Sequence, residues 1–157
     1  MAPPLLIDFA TLQASPVVAD ASAIEAINPH RGAMRLLDAV VHADTDSLTY
    51  GAYYDVGDDE FWVPGHIPGR PIFPGVLMLE AAAQLSSFVS LSHVEDMDFM
   101  GFAGADGIKF RGQVVPGDRF WVMVQMTELK KRRCTGTAQG VIDGQLVFEA
   151  VIKGMPI

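Results

Sequence analysis

The chain has a single cysteine, Cys134, in 157 residues, so no internal disulfide can form, and the composition fits a reducing compartment. Positive charge is also scarce. Eleven Lys and Arg stand against 19 Asp and Glu, a formal net charge of −8, which argues against nucleic acid as the main partner. Although half the residues are hydrophobic, none of their runs reaches the roughly 18 residues of a membrane span without a charge or a Gly/Pro break. Internal repeats and low-complexity tracts are missing as well. The four histidines, His30, His42, His66 and His93, lack metal-ligand spacing, and the glycines do not follow a strand in dinucleotide-binding order. These absences predict a cytoplasmic domain that uses neither metal nor cofactor.

What is present reads as one domain with an arm. The opening "MAPPLLIDFATLQASPVVADASA" has the small residues of a secretory signal, but it lacks a basic start and Asp8 interrupts it. Residues 1–22 are therefore expected to be an arm of little periodicity, and residues 23–157 a single domain. "ASAIEAINPH" predicts a short helix stopped at Pro29. "RLLDAVVHADTDSLTYGAYYD" predicts two strands joined through a polar turn. Gly75 to about Leu91 is rich in Ala, Leu and Met and free of proline, which predicts one long helix. Beyond it, "FMGFAGADGIKFRGQV", "DRFWVMVQMTEL", "CTGTAQGVID" and "QLVFEAVIKG" alternate with period two, punctuated by "VPGD" and Asp143-Gly144. A helix this apolar must be covered, and strands with one apolar face each can cover it. The expected class is α+β, an antiparallel sheet wrapped around one central apolar helix.

The chemistry concentrates in "PGHIPGRPIFPGVLMLEAAAQ", from Pro64 to Gln84. Proline or glycine occupies seven of the twelve positions from Pro64 to Gly75, so the backbone carrying His66 is largely preset. Histidine is suited to accept a proton near neutrality. An ordinary loop histidine bonded to nearby backbone is the plainer alternative. The loop runs into a helix start, whose free N–H groups can polarise a carbonyl. Glu80, Gln84 and Ser87 fall on one helical stripe, facing either solvent or a cavity. In the second case the neighbours Leu77, Met78, Leu79 and three alanines would desolvate the Glu80 carboxyl, raise its pKa and make it a proton donor. A base, an acid and a carbonyl-polarising N–H from Gly75 or its neighbour suit proton abstraction beside a thioester carbonyl and expulsion of a β-hydroxyl. Cys134, next to Arg132 and Arg133, is either an inert strand residue or a thiol activated by those cations. "KKRR" at Lys130–Arg133 is a solvated turn or a site for an acidic partner.

"GHIPGRPIFPGVLMLEAAAQ" closely resembles the signature of the FabZ-type 3-hydroxyacyl-[acyl-carrier-protein] dehydratases. "NPHRGAMRLLDAV", "GFAGADGIKFRGQVVPGD" and "GVIDGQLVFEA" resemble further segments of that family in the same order. The resemblance implies a hot-dog fold, homodimers with sites at the interface that can assemble to hexamers, and no cofactor. It implies catalytic roles for His66 and Glu80, from opposite protomers, and substrate contacts from Gly75, Val76, Gln84, Phe73 and Ile67. Acyl carrier protein is acidic, so the resemblance also implies a landing surface on Lys130, Lys131, Arg132 and Arg133 with Lys109 or Arg111. The related dehydratase-isomerases carry aspartate where this chain has Glu80, which speaks against isomerisation. Three positions depart from the family pattern: Ile67 replaces a phenylalanine, Ala39 an arginine, and Gly101 an aromatic gate. Two other readings compete, a hot-dog thioesterase or CoA hydratase, and a non-catalytic acyl- or carrier-binding subunit.

Overall fold

The computed structural model describes residues 1–157. Seven strands form one antiparallel sheet in the order β1-β2-β3-β5-β6-β7-β4. The strands are β1 (Ala19–Asp20), β2 (Ala39–Asp44), β3 (Thr49–Asp55), β4 (Met100–Phe110), β5 (Arg119–Lys130), β6 (Arg133–Ile142) and β7 (Gln145–Pro156). The helices are α1 (Phe9–Ala14), α2 (Ala21–Ile27) and α3 (Gly75–His93). α3 spans about 28 Å at the rise of an α-helix. It is apolar enough to cross a membrane by composition, but its covering is protein. Ala81, Ala82, Leu85 and Val89 lie fully buried in one cluster with Val40, Ala52, Phe120, Val122, Val124, Phe148 and Ile152. The wrapped helix expected from the sequence is thus the architecture observed.

The sheet has a second covered face, which strand periodicity did not reveal. On β5, Phe120, Val122 and Val124 point toward α3, while Trp121 and Met123 join Ile7, Leu12, Ala39, Val41 and Val141 in a separate cluster. Five consecutive β5 residues are therefore buried, where alternation predicted one apolar face. The cover is the N-terminal segment. Asp8 caps α1 by accepting from the Thr11 N–H at 3.0 Å, and Asp20 caps α2 through the Ala23 N–H at 2.9 Å. β1 pairs with β2 and so belongs to the sheet. Gln139 is buried on the outer face of β6. Its amide accepts from the Leu6 N–H at 2.8 Å and donates to the Pro4 carbonyl at 2.9 Å, as a neighbouring strand would. The Leu12 and Ile7 side chains fill the space a Cβ would need at Gly51, so a larger residue there would push against the outer cover. An arm of little periodicity was expected at residues 1–22. In that region α1 forms because the apolar outer face takes up Leu12, and β1 pairs with β2 and sends Ala19 into the inner cluster; α2 is the short helix expected before Pro29. Ala39 lies under the same cover, which accounts for an arginine being absent there.

Candidate functional site

The loop from Pro64 to Pro74 is held at both ends. The His66 N–H donates to the Trp62 carbonyl at 2.7 Å, and the Phe73 N–H to the Val114 carbonyl at 2.7 Å. Phe73 is fully buried against Tyr54, Trp62 and Phe120 with ring centroids 5.6–5.8 Å apart. That packing anchors the loop at a ring the sequence reading placed against substrate. Ile67, directly after His66, has φ +61°, a left-handed conformation that costs energy for a β-branched residue. Its side chain is half exposed and stands outside the cavity beside His66.

His66 Nδ1 lies 2.7 Å from the Ile72 carbonyl. A carbonyl only accepts, so Nδ1 carries the hydrogen and Nε2 keeps its lone pair. This is the tautomer a base requires. His66 lines a groove of about 380 Å³ with Phe73, Gly75, Val76, Met78 and Phe110. The N–H groups of Gly75 and Val76 belong to the first turn of α3, where no intrahelical carbonyl can accept them. A Cβ at Gly75 would lie 2.8 Å from the Phe110 ring, so glycine is what lets β4 approach the helix start.

Glu80 lies one turn further along α3 and lines a second cavity, of about 150 Å³. Within one chain the two catalytic candidates therefore face separate spaces. The sequence reading surrounded the Glu80 carboxyl with apolar neighbours. Its side chain is instead 26% exposed, and its contacts are polar. Gln84 Nε2 donates to Glu80 Oε1 at 2.9 Å and to the Met34 carbonyl at 2.7 Å, while Gln84 Oε1 accepts from the Leu36 N–H at 2.9 Å. Gln84 is itself buried and lines neither cavity; it fixes the Glu80 side chain and ties residues 34–36 to α3.

His30 was present in the "NPHR" motif but had no role assigned. Its Nε2 approaches Glu80 Oε1 to 3.4 Å, and it lines the Glu80 cavity. Burial lowers its pKa below the ordinary histidine value of 6.5, only partly offset by the Glu80 charge. Arg31 holds this turn by donating to the carbonyls of Asn28, His30 and Glu25. The one signal in the sequence was the Pro29-His30-Arg31 run, whose spatial partner 50 residues away only the fold supplies.

The other expected residues divide. Lys109 and Arg111 both pair with Glu149, at 3.2 and 2.6 Å, on either side of Phe110. Lys130 and Arg133 pair with Glu128, at 3.0 and 2.8 Å, and hold its carboxyl down at about 2. Lys131 reaches Asp96 at 3.7 Å, and Arg132 has no acidic partner. Cys134 is buried, and burial pushes its thiol up, which excludes activation by Arg132 and Arg133. Gly101 lines the Glu80 cavity between Met100 and Phe102, with the Ile157 side chain over its Cα. Aromatic rings at Phe99 and Phe102 border the cavity that lacks one at Gly101.

Residues 28–151 match the FabA-like domain. The 3-hydroxyacyl-[acyl-carrier-protein] dehydratase FabZ of Bacillus pumilus is 36% identical over 132 residues, covering 83% of this chain and 91% of that one. The FabZ of an Anaeromyxobacter species is 39% identical over 150 residues, covering 91% and 93%. Among solved structures, the dehydratase heterocomplex ApeI:P of Xenorhabdus doucetiae superposes with a TM-score of 0.73 over 85% of this chain and 90% of that one, at 13% identity, a likeness of fold. A sheet wrapped round one central helix accompanies relatives matched over nearly their full length: the chain belongs to the FabA-like, FabZ-type family of hot-dog dehydratases.

Proposed function

We propose that this protein dehydrates 3-hydroxyacyl thioesters carried on acyl carrier protein to trans-2-enoyl thioesters in fatty acid or related lipid synthesis. The observation that carries the reading is the His66 tautomer, with Nε2 free at the mouth of a groove that also holds the first N–H groups of α3. The thioester carbonyl accepts from Gly75 and Val76. His66 Nε2 takes a proton from the carbon beside that carbonyl, and the N–H groups carry the developing charge on its oxygen. The electron pair forms the 2,3 double bond as the C3–O bond breaks. Glu80 gives the departing hydroxyl its proton, and water leaves.

One chain keeps His66 and Glu80 in separate spaces, so the complete site belongs to a homodimer, the two groups coming from opposite protomers. β4 supports this. It is an eleven-residue edge strand with one free side and exposed Phe102, Ile108 and Phe110, a surface that invites pairing. Phe110 lines the His66 groove between Lys109 and Arg111, which makes those two cations the nearer landing point for an acidic carrier than Lys130–Arg133. The cell compartment consistent with this role is the cytoplasm.

The test uses purified protein with 3-hydroxyacyl carrier and measures 2-enoyl product. His66→Ala and Glu80→Gln should each lower kcat/KM by roughly 10²–10⁴-fold. Mixing the two variants under exchange should restore about a quarter of wild-type activity, because half the dimers are mixed and each keeps one intact site. Absence of dehydration by the wild type on short and long chains defeats the reading; absence of restoration defeats the shared site.

A further inference from the structure

The cavity that begins at Glu80 runs along α3, with Ala83, Ser86 and Ser87 on the helix side and Met100, Phe102 and Ile152 opposite. Most of this wall is apolar, as an alkyl chain would require. Beyond His30 and Glu80 its polar side chains are Ser86, Ser87 and Lys153; Lys153 pairs with Asp106, and Ser87 is the one left without a partner. Three serines of the same helix spend their hydroxyls on the carbonyl four residues back: Ser86 on Ala82, Ser90 on Ser86 and Ser92 on Phe88, at 2.7–2.9 Å. Ser87 is as buried as its neighbours, yet its Oγ has no partner. Backbone acceptors of this kind are the usual refuge of a helical serine. A buried hydroxyl that forgoes one calls for a partner from elsewhere. The remaining unpartnered atom in the lining, His30 Nδ1, belongs to the Glu80 end, so it does not supply one.

We propose that this channel selects acyl chains that carry a hydrogen-bonding oxygen, a hydroxyl or a keto group, toward their far end, and that Ser87 is the residue that reads it. The inference rests on the dehydratase reading, with Glu80 at the 3-hydroxyl. Seven residues of α-helix separate Glu80 from Ser87, a rise of ~10 Å. An extended chain advances about 1.2 Å per bond, so the oxygen belongs some eight bonds beyond the reacting carbon. The Ser87 hydroxyl is already shut off from bulk water, so a plain alkyl chain lying past it leaves its need for a partner unmet. An oxygenated chain supplies that bond, worth roughly ten-fold in affinity.

The experiment compares matched pairs of 3-hydroxyacyl carrier substrates, one with a saturated end and one with a terminal hydroxyl, over roughly six to twelve carbons to bracket the ~10 Å span. In the wild type kcat/KM should favour the hydroxylated member at the matching length by about five-fold or more. Ser87→Ala should abolish that preference by lowering turnover of the hydroxylated chain to the level of its alkyl partner. The same variant should keep or raise the melting temperature, since alanine is the better helix former and no bond is lost. A purely structural serine would move the melting temperature down and leave the ratio alone. Turnover of both chains with the same ratio in wild type and Ser87→Ala overturns the inference, as it would if only water satisfies Ser87. Failure of the wild type on every chain is a different result and removes the dehydratase reading itself.

Discussion

At the scale of single residues, the catalytic candidates were legible because their surroundings are written locally. Proline and glycine around His66 preset a loop, and the structure shows what that presetting achieves, a ring whose Nδ1–H is spent on Ile72. Glu80 was legible by type and position, whereas its environment was not. His30 and Met34 come from a turn some 50 residues earlier, and no spacing rule links that turn to α3. His30 yields a test by pH. Its folded pKa lies below the unfolded 6.5 because burial disfavours the cation. As pH falls through 6.5 the unfolded chain takes up a proton that the folded chain refuses, so stability falls on acidification and levels off below the folded pKa. Urea midpoints measured from neutral pH downward should show this loss, and His30→Gln should flatten it. An unchanged slope in the variant would assign the acid sensitivity to other groups.

At the scale of elements, every strand after α3 was visible in the sequence, since period two is strong where one face meets a helix. The outer cover was hidden. α1 is six residues long and β1 two, too short for periodicity to register; α1 exists by virtue of the sheet surface beneath it and β1 by pairing with β2. Their contribution should be large. Leu12 is completely buried in the outer cluster, and Leu12→Ala should cost about 2–5 kcal/mol in chemical denaturation. The loss would come with increased binding of an apolar dye, because Val41, Trp121 and Met123 depend on this segment for cover. A cost below ~1 kcal/mol would mean that the segment is only loosely attached in solution.

For the whole molecule, the arrangement of β4 decides what the protein can do alone. An edge strand with exposed apolar side chains is a liability in a monomer and an interface in a dimer. A charge at the edge should separate the protomers. Ile108→Lys, at a position exposed in the isolated chain, should give a monomer by light scattering with unchanged far-UV circular dichroism and lost dehydratase activity. A variant that remained dimeric and active would place the interface on another face. The charge pattern acts at this scale too. Of six basic residues that look like one reserve in the sequence, five are divided by the fold around Glu149, Glu128 and Asp96, and only the group flanking Phe110 adjoins the His66 groove.

By itself the sequence determined the helix, the four strands that follow it, the rigid histidine loop and the family, because each depends on residues close together in the chain or on a motif that survives as a contiguous string. Tertiary structure alone decided which groups hold Glu80, which face of the sheet the first twenty residues cover and which helical serine faces a cavity with its hydroxyl free. Those depend on contacts between segments tens of residues apart, and local pattern carries no record of them.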